Sequence, residues 1–169
     1  MSEDGSAAVG MPEFGIVWAI KQSFVDYVLG GGGGTATPTG GAWVRPDGAS
    51  VFAFDADASD RTVGSMVWKF RGEVLFEAHG GMLSMRIADP WIVQQPDSVD
   101  VTIIDPFSRN VGDRLTIATA RLEVDGLSDA GENWAGVNVA LANGGWALFN
   151  GKYEVGSALE PFAVRLPSD

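Results

Sequence analysis

Apolar and polar residues alternate along residues 74–93, VLFEAHGGMLSMRIADPWIV. Val74, Phe76 and Ala78 fall on one side of an extended chain, and Leu75, Glu77 and His79 fall on the other. Gly80 and Gly81 allow a tight turn, after which Leu83, Met85 and Ile87 resume the alternation against Ser84 and Arg86. The pattern predicts a β-hairpin that carries His79 at its bend. The same short period, rich in β-branched and aromatic residues, predicts further strands over 43–45, 50–55, 66–70, 99–104, 115–124 and 134–141. Pro46-Asp47-Gly48, Asp89-Pro90, Asp105-Pro106, Asp125-Gly126 and Asn143-Gly144 read as the turns between them. Strands at this spacing imply a sandwich or barrel of antiparallel sheets.

Helical periodicity is confined to the start. Phe14, Val17, Trp18, Lys21, Val25 and Val28 form one stripe over 14–29, with the Lys21 stem snorkelling, and Ile20, Ser23 and Tyr27 line an adjacent one. Gly30 suits the left-handed residue that ends such a helix. The run Gly30 to Gly34 is not a phosphate loop, which precedes its helix and ends in Gly-Lys-Ser/Thr; it reads as a flexible connector. Residues 146–150 predict one short helical turn capped by Gly151, followed by an extended piece through Leu166. Residues 1–13 read as a polar leader, and 14–166 as one domain without internal repeat.

Composition narrows the function. A chain of 169 residues buries about 70% of the surface its unfolded form exposes, enough for a self-sufficient core. The net charge of −11 repels phosphate backbones and anionic lipid, so nucleic acid is not an expected partner. No segment reaches the roughly 20 apolar residues of a membrane span, and the start lacks a signal-peptide pattern. The expectation is a cytoplasmic protein if these termini are native, and a cell-envelope domain if the sequence is an excised piece. With no cysteine and one histidine, the usual zinc sites and a thiol nucleophile are excluded. Gly-x-Ser-x-Gly is absent. Asp55, Asp57 and Asp60 open like a calcium loop, but Asp60 occupies its glycine position and Met66 its twelfth, so a solvated acidic turn is the reading.

What remains is a set of polar rings: His79 with the two tyrosines of the chain, Tyr27 and Tyr153. On composition alone the favoured reading is structural: partly buried tyrosines with satisfied hydroxyls and a histidine at a turn.

Three blocks carry a resemblance. WAIKQSFVDYVLG at 18–30, FEAHGGMLSMRIADP at 76–90 and WALFNGKYEVGSALEPF at 146–162 resemble, in order and spacing, the motif blocks of the HtaA domain, the haem-binding conserved region of actinobacterial haem-uptake proteins. The resemblance implies a mainly β, antiparallel sandwich-like domain with an N-terminal helix and a short C-terminal helical turn. It also implies ferric haem (haem b) as cofactor, with Tyr27 as the axial metal ligand, His79 hydrogen-bonded to it, Tyr153 as third residue of the site and Ser23 close to the haem. Haem and another haem-carrier protein are the implied partners. Secretion signals and C-terminal anchors found in many members are not matched by this sequence.

The chemistry is self-consistent. A free phenol titrates near about 10, but coordination to ferric iron favours the phenolate. Tyrosine is an established haem ligand. An imidazole donating to the phenolate oxygen fixes the ring and tunes its donation. Phe24, Val28, Met82 and Trp146 are candidates for an apolar slot, though such residues are more often plain core. Ser23, Arg86 and Lys152 are candidates for the haem propionates, against ordinary surface ion pairing. Met82 or Met85 as an axial ligand is a weaker expectation. The reading is a haem-binding and transfer or storage module without catalytic turnover. A cofactor-free β-sandwich for adhesion or scaffolding is the alternative, and a haem-dependent enzyme ranks third because no distal acid-base residue is evident.

Overall fold

The first strand decides the architecture. In the computed structural model, which describes residues 11–31 and 33–168, β1 (Gly15–Trp18) is hydrogen-bonded on both of its sides. One neighbour is β12 (Phe162–Leu166), the other β4 (Ser50–Phe54). The remaining strands are β2 (Thr35–Thr39), β3 (Trp43–Val44), β5 (Val67–Arg71), β6 (Glu73–Ala78), β7 (Leu83–Ala88), β8 (Trp91–Gln94), β9 (Val99–Ile104), β10 (Arg114–Ser128) and β11 (Gly131–Leu141). The large sheet runs β1-β12-β11-β10-β9-β8-β5-β4-β3, and the β1–β4 pairing closes all but β3 into a barrel. A separate three-stranded antiparallel sheet has the order β2-β6-β7. The mainly β expectation therefore stands, but the sandwich is corrected to a closed barrel plus a small sheet. A strand with both edges satisfied leaves the large sheet no seam at that position.

That correction traces to one misread segment. Residues 15–18 are strand and not helix. Ile16, Trp18 and Ile20 are all buried, an alternation of period two that coexists in the sequence with the helical stripe. Backbone crowding settles the conflict, since a Cβ on Gly15 would lie 2.2 Å from the carbonyl oxygen of Phe52. Ile16 faces Phe52 on one side and Val164 on the other, and all three are buried in the barrel. Each such side chain contributes about 1.5–3 kcal/mol by leaving water.

The helix begins after a sharp reversal at Ile20, whose φ of 66° is unusual for a β-branched residue. The C-terminal segment holds that reversal. Glu160 donates its backbone N–H to the Ile20 carbonyl at 2.9 Å, its carboxylate accepts the Gln22 N–H at 3.2 Å, and its carbonyl accepts the Trp18 indole N–H at 2.7 Å. The first helix, Gln22–Asp26, runs on into a π-helical turn, Tyr27–Gly31. Gly30 is inside this turn and not left-handed; the positive φ falls at Gly33. Gly34, at the end of the glycine run, is likewise packed. A Cβ on Gly34 would meet the Glu77 carbonyl oxygen at 2.0 Å, so the missing side chain lets this segment lie against β6 and lead into β2.

The remaining differences are local. β2 and β8 are strands that the sequence reading passed over, the first because Pro38 and exposed threonines mask an edge strand. Asp125-Gly126 is a β-bulge inside the fifteen-residue β10, and the chain reverses at Asp129. Asn143-Gly144 opens the second helix, Asn143–Leu148, instead of forming a strand turn. Gly151 does end that helical region, with φ 74° and its N–H on the Trp146 carbonyl at 2.8 Å. Among the described residues no helix is long and apolar enough to cross a membrane.

Candidate functional site

The predicted hairpin forms as β6 and β7, paired from Glu73–Ala88 to Ala78–Leu83. Its bend is His79–Gly81, three successive residues with positive φ of 55°, 65° and 93°. A histidine tolerates the left-handed region at a cost that Gly80 and Gly81 do not incur. Two other contacts hold the bend: the Met82 N–H donates to the His79 carbonyl at 3.2 Å, and the imidazole itself is engaged by the first helix.

That engagement is the centre of the site. The π turn carries Tyr27 to the hairpin, where its hydroxyl shares a hydrogen bond with His79 Nε2. The rings lie 5.6 Å apart between centroids, tilted at 53°. Tyr27 is 38% exposed and so is at the surface of the site. One turn earlier, Ser23 Oγ is 3.4 Å from the Tyr153 hydroxyl. The three rings and the serine singled out in the sequence are thus brought onto one face of the first helix.

A file of edge-on aromatic contacts fixes these elements relative to one another. Phe76 on β6 meets Phe24 at 5.7 Å, Phe24 meets Phe149 at 5.1 Å, and Phe149 meets Tyr153 at 5.1 Å. Each contact adds about 0.5–1.5 kcal/mol beyond burial. Phe24 is accordingly both core and site.

Beside the tyrosines runs a groove of about 780 Å³ along β7, the outer strand of the small sheet. Leu75, Leu83 and Met85 line one side, Ala147, Phe149 and Asn150 of the second helix region line the other, and Pro106 and Phe107 close an end. Sites of about 300–1,000 Å³ with apolar walls suit a cofactor-sized ligand. Tyr27 and His79 flank the groove and do not line it. Met82 and Lys152 make the connection: both border the groove, and the Lys152 ammonium lies 4.7 Å over the Tyr27 ring and 5.9 Å from that of Tyr153.

The other sequence candidates are placed unequally. Met82 is 91% exposed at the groove's edge. Met85 is buried in its wall, and Val28 is fully buried core away from it. Arg86 borders the groove with its guanidinium 3.7 Å from Glu73. Trp146 is half exposed outside the groove lining, against Gly151. The sequence reading missed Leu75, Phe149 and Phe107, the last 62% exposed. Leu75 and Phe149 were legible as strand and helix positions, whereas nothing in the sequence marks a residue in the 105–113 loop as facing the small sheet. Lys21, assigned to a helical stripe, instead caps the Ala158 carbonyl at 2.8 Å and lies 5.2 Å from the Tyr153 ring.

Comparison with known proteins bears on the fold and the family. The HtaA family model (Htaa) matches residues 14–165. Among solved structures, the chain is similar to the C-terminal domain of HtaA from Corynebacterium glutamicum, with a TM-score of 0.70 and 24% identity over 93% of this chain and 98% of that one. The N-terminal domain of the same protein gives a TM-score of 0.65 at 20% identity, covering 94% and 99%. The haem-binding protein HtaB from the same organism gives 0.59 at 17%, covering 92% of each chain. No curated protein sequence matches the chain.

Proposed function

The chain belongs to the HtaA family, and from that premise we propose that it binds one ferric haem (haem b) as cargo, for transfer or storage, with Tyr27 as axial ligand. The observation that carries the proposal is the Tyr27–His79 hydrogen bond beside a groove whose lining mixes apolar side chains with Ser84, Arg86 and Lys152. The donor set fits the cargo. The Tyr27 phenol supplies the hard anionic oxygen that ferric iron prefers, and Leu75, Leu83, Met85 and Phe149 supply apolar surface for a porphyrin face.

His79 holds the phenol oxygen in place and, by donating from Nε2, steadies its anionic form. Ser23 and Tyr153 extend the polar side of the site. Lys152 is the cation placed for a haem carboxylate, and Arg86 is a second, shared with Glu73. An anionic oxygen ligand favours the ferric over the ferrous state, so reduction loosens the grip. That suits a carrier which passes haem to another haem-carrier protein. The unit responsible is taken as residues 14–166.

Titration of the purified protein with hemin tests the reading. A saturable Soret change at about one equivalent is expected; absence of saturation eliminates it.

A further inference from the structure

The barrel has two ends, and the tyrosine site belongs to only one of them. The helices and the small sheet lie toward the end where β1 finishes and β12 begins. At the opposite end, where β5, β9 and β11 begin and β8 and β10 finish, a second cavity of about 530 Å³ opens. Trp68 and Trp134 come from strands separated in the sheet by β8, β9 and β10, yet their rings meet at 5.6 Å and 62°. Together with Met66 and Leu122 they give the cavity an aromatic, apolar interior.

Its polar groups are not all used. Trp134 donates its indole N–H to Glu132 Oε1 at 3.1 Å, and the other oxygen of Glu132 is 3.1 Å from Arg61. Arg61 thereby reaches from the loop before β5 to β11, and both side chains are only about one-fifth exposed (19% and 22%). Trp68, 3% exposed, has an indole N–H that is wholly buried without an acceptor among the described residues. Indole nitrogen is donor only, and a buried unmet donor costs about 1–3 kcal/mol, so such a group calls for a partner. Arg61 and Arg121 stand in the lining with Glu132 and Asp97, and Arg121 also pairs with Glu123 at 2.6 Å beside it. A guanidinium with five donors keeps some free after pairing with one carboxylate.

We propose that this second mouth is a binding site for a small flat aromatic molecule that carries one anionic group. Its ring system lies against the tryptophan pair, and the anionic group sits at the unpaired guanidinium donors of Arg61 and Arg121. Barrel mouths of this volume with aromatic walls and few polar groups are common ligand sites. The inference is independent of the haem reading, because no residue is shared between the two linings.

Calorimetric titration of the full chain with 8-anilino-1-naphthalenesulfonate, a flat aromatic anion, tests it. Saturable binding at about one equivalent is expected. Arg121→Gln weakens it by about fivefold to tenfold, the worth of one charged hydrogen bond. Leu122→Trp fills the cavity and abolishes it, with near-ultraviolet circular dichroism reporting that the variant is folded. Ala147→Trp, which narrows the other groove, leaves it unchanged. The proposal is overturned if the probe does not bind, if Ala147→Trp abolishes binding, or if Arg121→Gln and any folded Leu122→Trp bind as the parent does.

Discussion

Tyr27 and His79 share a hydrogen bond across 52 residues of sequence, one from a π turn and the other from a strained hairpin bend. Neither backbone feature is a common resting state for the chain, and each ring holds the other's segment in position. A pair that is costly to assemble and partly exposed has the character of a functional contact.

The two residues have different roles in the proposed site, so their variants separate. Tyr27→Ala and Tyr27→Phe both remove the ligand oxygen and abolish saturable hemin binding. His79→Ala leaves the ligand but removes its support, and affinity falls by about 10-fold to 100-fold, the usual cost of losing a group behind a metal ligand. Hemin titrations of the three variants check this, and equal effects of Tyr27→Phe and His79→Ala contradict the assignment.

Phe149 joins the first helix to Tyr153 through two edge-on contacts. Phe149→Ala removes both and opens a cavity beneath the groove, at a cost of about 3–5 kcal/mol. Urea denaturation gives the loss. Phe149→Leu, which retains most of the volume, costs less than half as much if packing rather than ring geometry is what matters.

Gly136 on β11 is directly opposite Phe162 on β12, and a Cβ there would come within 2.2 Å of the Phe162 ring. The ring covers the glycine and faces edge-on to Trp18 at 5.9 Å. Gly136→Ala pushes that ring out of its place in a packed interior, and a loss of about 1–3 kcal/mol is expected in thermal or urea unfolding.

Asp47 and Asp60 both have carboxyl pKa values held below the ordinary aspartate range. The largest cause is a backbone N–H donated to each, by Ala49 and by Thr62 respectively. A pKa lowered by folding stabilises the folded state above the unfolded pKa of about 4, and that contribution disappears as pH falls through the folded value. Asp47→Asn with Asp60→Asn therefore flattens the acid limb of the stability curve below about pH 4. A pH series of urea midpoints reads it directly.

Most of the strands were legible because one face of each is buried and one is wet. The hairpin of β6 and β7 is the clearest case, with Val74, Phe76 and Ala78 buried as their spacing required. The barrel was not legible. Closure depends on β1, and residues 14–20 satisfy helical and extended periodicity together; only the carbonyl of Phe52 against Gly15, a long-range contact, decides between them. Similarly, Tyr27, Ser23 and Tyr153 could be named, but the groove beside them depends on how Phe149 and Phe107 approach β7, which no local pattern encodes. Asp125-Gly126 looked like a turn because its residue types suit turns and bulges equally.

β1 is locked between β4 and β12, so the ring cannot join until the last strand has been made. A chain emerging from a ribosome can pair residues 15–18 with β4 early, but their second edge stays open until residues 162–166 are made. Pairings this remote in sequence place the molecule among slow folders, and its final step should be the docking of one short C-terminal ribbon.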